Sequence, residues 1–393
     1  MTIREELEKM ERETLSPYAT LSVNTKGRER GEEQCDVRPV FQRDRDRILH
    51  CKAFRRLKNK TQVFLTPKGD HYRTRLSHTL EVSQNARTIA KALRLNEDLV
   101  EAIALGHDMG HTPFGHAGER ILSSLYQEHT GRYFNHNVHS VRVLDDMVNW
   151  NISLQTLDGI LCHNGELELK EYRPCEMSTF VEYDKKVEAC YVDENAIGGL
   201  IPCTLEGCVM RICDIIAYLG KDRQDAMRLN LLKESPFTAG AIGTSNGEII
   251  NNFSVNIIEN SYGKDYLKMD EEYFDALRQA KKENYEMIYN NKSLNDLYEN
   301  EIRPMFGELY EELLRQAESG DKSSVFYRHH MAYMEKNNFY VKSHVRKPYA
   351  EQEENQLVVD YLASMTDDYF IALYHYLFPK GKHDVKFVGY FDL

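Results

Sequence analysis

The 393-residue chain has no Cys-x-x-Cys pair, no apolar run long enough to span a membrane, no internal repeat and no low-complexity linker. Each absence removes a class of protein. Eight cysteines (Cys35, Cys51, Cys162, Cys175, Cys190, Cys203, Cys208 and Cys213) without paired spacing read as free thiols of a reducing compartment. The five-residue intervals of Cys203, Cys208 and Cys213 match neither a zinc spacing nor one helical face. The start, Met1 to Leu7, has no apolar signal core. With no spanning run either, the expectation is a cytoplasmic protein with no membrane partner. Positive charge is also short: 50 Lys and Arg stand against 62 Asp and Glu, a formal charge of −12. That balance argues against a protein built chiefly to coat nucleic acid. It leaves room for the local basic segment from Arg43 to Lys60.

What is present suits an ordinary globular chain, with 41% apolar and 28% charged residues. The length allows one large domain or two to three small ones. Apolar periodicity predicts helices near 3–15, 41–58, 75–94, 97–108, 116–129, 137–149, 205–230, 271–291, 293–315 and 353–377. Residues 16–40, rich in Pro, Gly and charge, read as extended and mobile. Thr61–Leu65 reads as a short strand turned by 67–70, residues 163–203 as irregular, and 385–390 as a closing strand. The pattern describes an α-helical body with a C-terminal helical extension.

One run stands out: Ala102-Ile103-Ala104-Leu105-Gly106-His107-Asp108. An imidazole and a carboxylate close an apolar helix and offer one nitrogen and one oxygen to a single cation. His78 precedes this pair and Asp214 follows it, each on a helix with an apolar face. Buried charges need a partner, and a metal ion supplies one; a mixed nitrogen and oxygen set suits a divalent ion with open positions. Taken singly, His78 also reads as a capped or core histidine and Asp214 as an ion-pair residue. After the pair, Gly110, Pro113 and Gly115 break the helix, and His116 and Glu119 share a face three residues apart. A carboxylate beside an imidazole fixes its tautomer and suits acid/base work; a plain capping arrangement fits the same spacing.

Longer motifs carry a resemblance. Phe41-Gln42-Arg43-Asp44-Arg45-Asp46-Arg47-Ile48, Phe54-Arg55-Arg56-Leu57-Lys58, Lys60-Thr61-Gln62-Val63-Phe64, Gly69 to Val82, His107 to Glu119, Phe134-Asn135-His136-Asn137, Asp214-Ile215-Ile216-Ala217-Tyr218 with Asp222, and Asp360 to Asp367 follow one another across nearly the whole chain. In this order they resemble the HD-domain dGTPase-like triphosphohydrolases.

The resemblance implies an all-α fold: an HD-domain helical bundle with a C-terminal helical extension and minor short β elements. It divides as an N-terminal helix and extended segment (1–40), a metal-dependent phosphohydrolase core (41–235) and a C-terminal helical region packed on that core (236–393). It implies hydrolysis of a deoxynucleoside triphosphate, dGTP or another dNTP, at the α-phosphorus, giving a deoxynucleoside and inorganic triphosphate.

By the same resemblance His78, His107, Asp108 and Asp214 hold a divalent ion (Mg, Mn or another transition metal such as Ni, Zn or Fe). His111, His116, Glu119 and His136 line the reacting phosphate. Gln62, Tyr218 and Asp222 contact the sugar, and Arg75 reaches the phosphates. The strong negative charge of a triphosphate adds Arg73, Lys60 and Lys221 as further expected cations. Read without it, Tyr218 is a core aromatic and Asp222 a solvated charge. Relatives assemble as tetramers or hexamers, some need an activating nucleotide, and some contact single-stranded nucleic acid; each partner carries over as an expectation. The rival readings are an HD-type phosphatase acting on other nucleotides and a non-catalytic nucleotide or single-strand binder. Val138 and His139, Ile215 and Lys221 depart from the family pattern, which leaves the preferred base open.

Overall fold

Short polar residues divide the chain into helices. Thr2, Thr74, Asn96, Thr179, Thr204 and Ser245 each stand just before an apolar-periodic stretch and accept an amide hydrogen from its first turn, which satisfies one of the donors left over at a helix start. A computed structural model describes residues 1–65, 72–164, 168–229, 231–232, 238, 240–337 and 348–385. Among them the helices are, in order, α1 (Ile3–Thr14), α2 (Val40–His50), α3 (Lys52–Arg56), α4 (Arg75–Leu93), α5 (Glu97–Gly106), α6 (Gly115–Thr130), α7 (His136–Arg142), α8 (Leu154–Leu161), α9 (Phe180–Val192), α10 (Leu205–Arg228), α11 (Asn246–Ser261), α12 (Glu271–Asn284), α13 (Lys292–Leu297), α14 (Arg303–Ser319), α15 (Ala332–Asn337), α16 (Glu354–Ser364) and α17 (Asp367–Leu377). The described β structure is a two-stranded antiparallel pair, β1 (Glu171–Tyr172) against β2 (Leu267–Lys268), and two isolated bridges. The fold is all-α, as expected. No helix among the described residues is long and apolar enough to cross a membrane.

Helix α5 lies at the centre. Leu99, Val100, Ala102, Ile103, Ala104, Leu105 and Gly106 are all buried, so it is enclosed on every side, by α2, α4, α8 and α10. Burying a side chain such as Leu99 or Ile103 contributes about 1.5–3 kcal/mol. Helix α8 is likewise buried from Leu154 to Leu161. Because α4 and α10 pack on α5 and on each other, residues at the same level of three helices face a common point.

Several sequence expectations need correction. The helix expected over 41–58 breaks at Cys51, whose backbone is extended, and α3 turns Ala53 and Phe54 into the core. Thr61–Leu65 is not a strand; it makes a single bridge, Thr61 to Thr74. The expected turn at 67–70 lies outside the described residues, as does the closing strand beyond Val385. The irregular 163–203 region contains α9 and β1. The helix expected over 353–377 is two, since Thr366 caps α17. Those expected over 137–149, 271–291 and 293–315 pass into wider π turns at Val143–Met147, Tyr285–Tyr289 and Tyr298–Ile302.

Residues 16–40 are fastened rather than loose. Glu206 accepts from the Thr20 amide and hydroxyl, Gln155 accepts from the Lys26 amide, and Arg28 pairs with buried Asp44.

Candidate active site

Helices α4, α5 and α10 bring together His78, His107 and Asp214. His78 Nε2 lies 3.0 Å from Asp214 Oδ1, and His107 Nε2 lies 3.8 Å from the same oxygen. The donor atoms of all three fall within 4.8 Å of one another. Asp108 Oδ2 is 3.5 Å from His107 Nε2 and accepts from Arg75 Nη1 at 2.9 Å. Thus the four expected metal ligands do converge, with Asp108 set to one side between the trio and Arg75.

The residues fit a divalent cation. His107 Nδ1 is 2.7 Å from the Ala104 carbonyl oxygen, so the proton belongs on Nδ1 and a lone pair on Nε2. That Nε2 is buried and has no hydrogen-bond partner, a costly state beside two carboxylates unless a cation shares it. Burial works to raise both carboxyl groups, yet both are held low. Arg75, His107 and His78 keep Asp108 well below the usual range, and the hydrogen bond with His78, with His107 close by, holds Asp214 down to about 2. Both are therefore ionised and ready to ligate.

A second group stands beside the first. The chain leaves α5 through His111 and enters α6 through Phe114 and Gly115, both with positive φ (63° and 58°). A Cβ on Gly115 would come within 3.1 Å of Arg75 Nη2 and 3.3 Å of the Gln62 carbonyl oxygen, so the residue type there is set by close approach as well as by φ. Gly110 is closer still: a Cβ would lie 2.1 Å from the Ser140 amide nitrogen on α7.

This tight turn places His116 and Glu119 on the first turns of α6. Glu119 is shared. One oxygen lies 3.1 Å from His116 Nδ1 and the other 2.8 Å from His136 Nδ1. His111 stacks on His136 with ring centres 4.3 Å apart, and neither of its ring nitrogens has a partner. Burial, reinforced by Arg75 and His136, pushes the His111 pKa far down, so it is neutral. Burial opposes the charge on Glu119, but His136 and His116 outweigh it and keep the carboxylate ionised. Burial lowers His136 and Glu119 raises it further, for a net rise.

Both groups open on one cavity of about 830 Å³, lined by Gln62, Arg75, His78, Asp108, His111, His116, Glu119, His136, Asp214 and Tyr218. It adjoins a smaller cavity of about 170 Å³ that shares Gln62, His116 and Tyr218 and adds Asp222 and Tyr289. Gln62 turns a buried, unpartnered Oε1 into this region. Asp222 reaches only the smaller cavity, and its carboxylate is engaged by Arg73 and, at 2.6 Å, by the Tyr289 hydroxyl.

The extra cations expected for phosphate are elsewhere. Arg73 serves Asp222 and the Ala217 carbonyl. Lys60 is buried, donates to the His111 and Ala363 carbonyls, and is held by burial and Arg56 down to about 7. In the basic segment Arg43, Arg45 and Arg47 pair with Glu32, Asp98, Glu101 and Asp46, which removes much of its excess charge. Among the departures, Val138, His139 and Ile215 are buried and line neither cavity.

His163 is a member of the site that the sequence reading passed over. It follows α8, 1% exposed, and its Nε2 lies 3.0 Å from His136 Nε2. A usable signal existed: Ile160-Leu161-Cys162-His163 closes an apolar helix in an imidazole, as Ala104 to His107 does. Tyr285, on a π turn, also lines both cavities.

Comparison with known proteins adds a family. Residues 75–219 match the HD domain, and residues 267–376 match the phosphohydrolase-associated domain. A deoxyguanosinetriphosphate triphosphohydrolase-like protein of Caldanaerobacter subterraneus is 39% identical over 96% of this chain and 96% of its own. Proteins of the same description from Desulfatibacillum aliphaticivorans and Clostridium tetani are 36% and 35% identical, covering 96% and 97% of this chain and 98% and 97% of theirs. Likeness of that degree along the full length means that the chain belongs to the deoxyguanosinetriphosphate triphosphohydrolase-like family of HD-domain phosphohydrolases.

Proposed function

We propose that this phosphohydrolase cuts deoxynucleoside triphosphates at the α-phosphorus by attack of water, releasing a deoxynucleoside and intact triphosphate. The observation that carries the reading is the junction of the two groups: His78, Asp108 and Asp214, with His107 buried behind them, and the His111, His116, Glu119 and His136 cluster open on one cavity. A dGTPase-like description of full-length relatives supports the same substrate class.

His78, His107, Asp108 and Asp214 would hold a divalent ion, which when bound polarises a phosphoryl oxygen and acidifies a water. Arg75, with Nε and Nη2 buried and unpartnered, faces the triphosphate charge. Neutral His111 hydrogen-bonds the α-phosphate. His116, about half exposed to the cavity and oriented by Glu119, protonates the departing 5′-oxygen. Gln62 and Tyr218 flank the sugar. Asp222, already bonded to Tyr289, holds the edge of the nucleoside site together with it. A flat Tyr218 ring under the sugar leaves no room for a 2′-hydroxyl. The division into 1–40, 41–235 and 236–393, assembly as a tetramer or hexamer, an activating nucleotide and a single-stranded nucleic-acid ligand extend the same proposal.

The test is incubation of the purified chain with each dNTP, singly and in pairs, with Mg²⁺ or Mn²⁺. Deoxynucleoside and triphosphate in equal amounts are expected. Orthophosphate as the product would replace this reading with that of a nucleotide phosphatase.

A further inference from the structure

The turn that ends α5 is held open by a hydroxyl from another helix. Ser140 is fully buried on α7. Its Oγ accepts from the Gly110 amide at 2.8 Å and donates its one hydrogen to the His107 carbonyl oxygen. In a tight turn a carbonyl and the amide three residues on bond each other directly. The neighbouring amides keep that pattern, Met109 donating to Gly106 and His111 to Asp108. Between His107 and Gly110 the Ser140 hydroxyl stands in the gap instead, and Asp108 lies in the stretch it spans.

Two further contacts join this turn to α7. Gly110 seats directly on the α7 backbone, where a Cβ would strike the main chain of His136, His139 and Ser140. Ser140 stands four residues after His136, one turn along the same helix face, and the His136 ring stacks on His111 with centres 4.3 Å apart. One helix therefore grips the segment from His107 to His111 along its length. That segment carries His107 and Asp108 of the first group and His111 of the second.

We propose that Ser140 is a positioning residue for the cation site: its hydroxyl fixes the turn that aims His107 and Asp108 and sets their spacing from His111 and His136. It acts through the main chain. The His107 carbonyl is among the acceptors left over at the end of α5, and a buried polar group without a partner is costly. Without the hydroxyl, this carbonyl and the Gly110 amide either stay unpaired or close on each other. Closing redirects Asp108, whose carboxylate now meets Arg75 Nη1 at 2.9 Å. The proposal rests on the reading of His78, His107, Asp108 and Asp214 as cation ligands. The rival role confines Ser140 to holding the fold together.

Manganese affinity separates the two. Full-length protein is stripped with a chelator and titrated with Mn²⁺, the free ion being read by electron paramagnetic resonance. Circular dichroism follows melting of the metal-free forms. The wild type is expected to bind Mn²⁺. Ser140→Ala is expected to fold and to bind about 10–100-fold more weakly, the usual loss when a bond supporting a ligand is removed. Ser140→Thr keeps the hydroxyl and is expected to bind close to wild-type strength. Unchanged affinity in a folded Ser140→Ala overturns the positioning role and leaves the cation site standing. A loss that Ser140→Thr shares assigns the effect to packing of α7 and overturns it as well. If Ser140→Ala does not fold, the residue belongs to the fold alone and the proposal fails. If only Ser140→Thr does not fold, the Ser140→Ala affinity decides. A wild type that binds no Mn²⁺ overturns the cation site and the proposal with it.

Discussion

A single ring proton explains much of this site. Because the Ala104 carbonyl takes the Nδ1 proton of His107, the buried Nε2 must find a cation or remain unsatisfied. His107→Ala and Asp214→Ala are therefore expected to lose bound metal and turnover together, as read by metal analysis and a product assay on the same preparation. His116→Ala should keep its metal while kcat falls by about 10²–10⁴-fold; a metal-free His116 variant, or one at wild-type rate, would contradict its placement as acid.

The His107-Asp108 pair was legible in the sequence because an apolar helix ending in two polar groups is a conflict that only a site resolves. His163 presents the same conflict, but the irregular stretch after it, 163–203, hid the helix it closes. Asp222 shows the reverse case. Its spacing of four from Tyr218 was readable, whereas the partners that engage it, Arg73 and Tyr289, come from distant parts of the chain.

Between elements, the C-terminal helices act on the catalytic turn. Asp367, at the start of α17, accepts from the Thr61 amide at 2.8 Å and its hydroxyl at 2.5 Å, and from the Phe114 amide at 3.0 Å. Phe114 adopts a left-handed backbone conformation, which costs a non-glycine residue about 1–2 kcal/mol. Its ring packs edge-on against both Phe306 and Phe370, at 6.1 and 5.1 Å. Lys60 adds a second tie, from the His111 carbonyl to the last turn of α16.

Removing the carboxylate leaves the buried Phe114 amide unpaired, at a cost of about 1–3 kcal/mol, and the half-buried Thr61 amide and hydroxyl without their acceptor. Asp367→Ala is thus expected to lower thermal stability by several degrees and to reduce kcat while metal content holds. A variant with full kcat would show that the turn keeps its shape unaided. Helix positions were largely readable from periodicity and caps. The breaks at Cys51 and Met365 were not, because they answer to tertiary contacts of the next element: the burial of Ala53 and Phe54 in one case, and the bond of Asp367 with Thr61 in the other.

For the molecule as a whole, acid is expected to act through buried neutral histidines. Burial holds His139 down to about 4 and His330 down to about 3. Their unfolded values are near 6.5. Between these limits the unfolded chain binds more protons than the folded one, so stability falls as pH drops below about 6.5 and is fully present above it. Denaturant unfolding at pH 7 and pH 5 checks this, and His139→Asn should shallow the slope; equal stability at the two values would contradict it.

The core and the C-terminal region also share one apolar interior, in which Phe114 packs on Phe306 and Phe370. A fragment ending at residue 235 is expected to aggregate or to lack turnover, as seen by gel filtration and assay. A soluble, active fragment would show that the C-terminal helices are dispensable.

The bond that breaks defines the reaction. Turnover of a dNTP in ¹⁸O-labelled water, followed by mass analysis of both products, reads this directly. The label is expected in triphosphate, with none in the deoxynucleoside, since water attacks phosphorus and the 5′-oxygen leaves with the sugar. Label in the deoxynucleoside, or label carried by orthophosphate, would contradict α-phosphorus attack at this site.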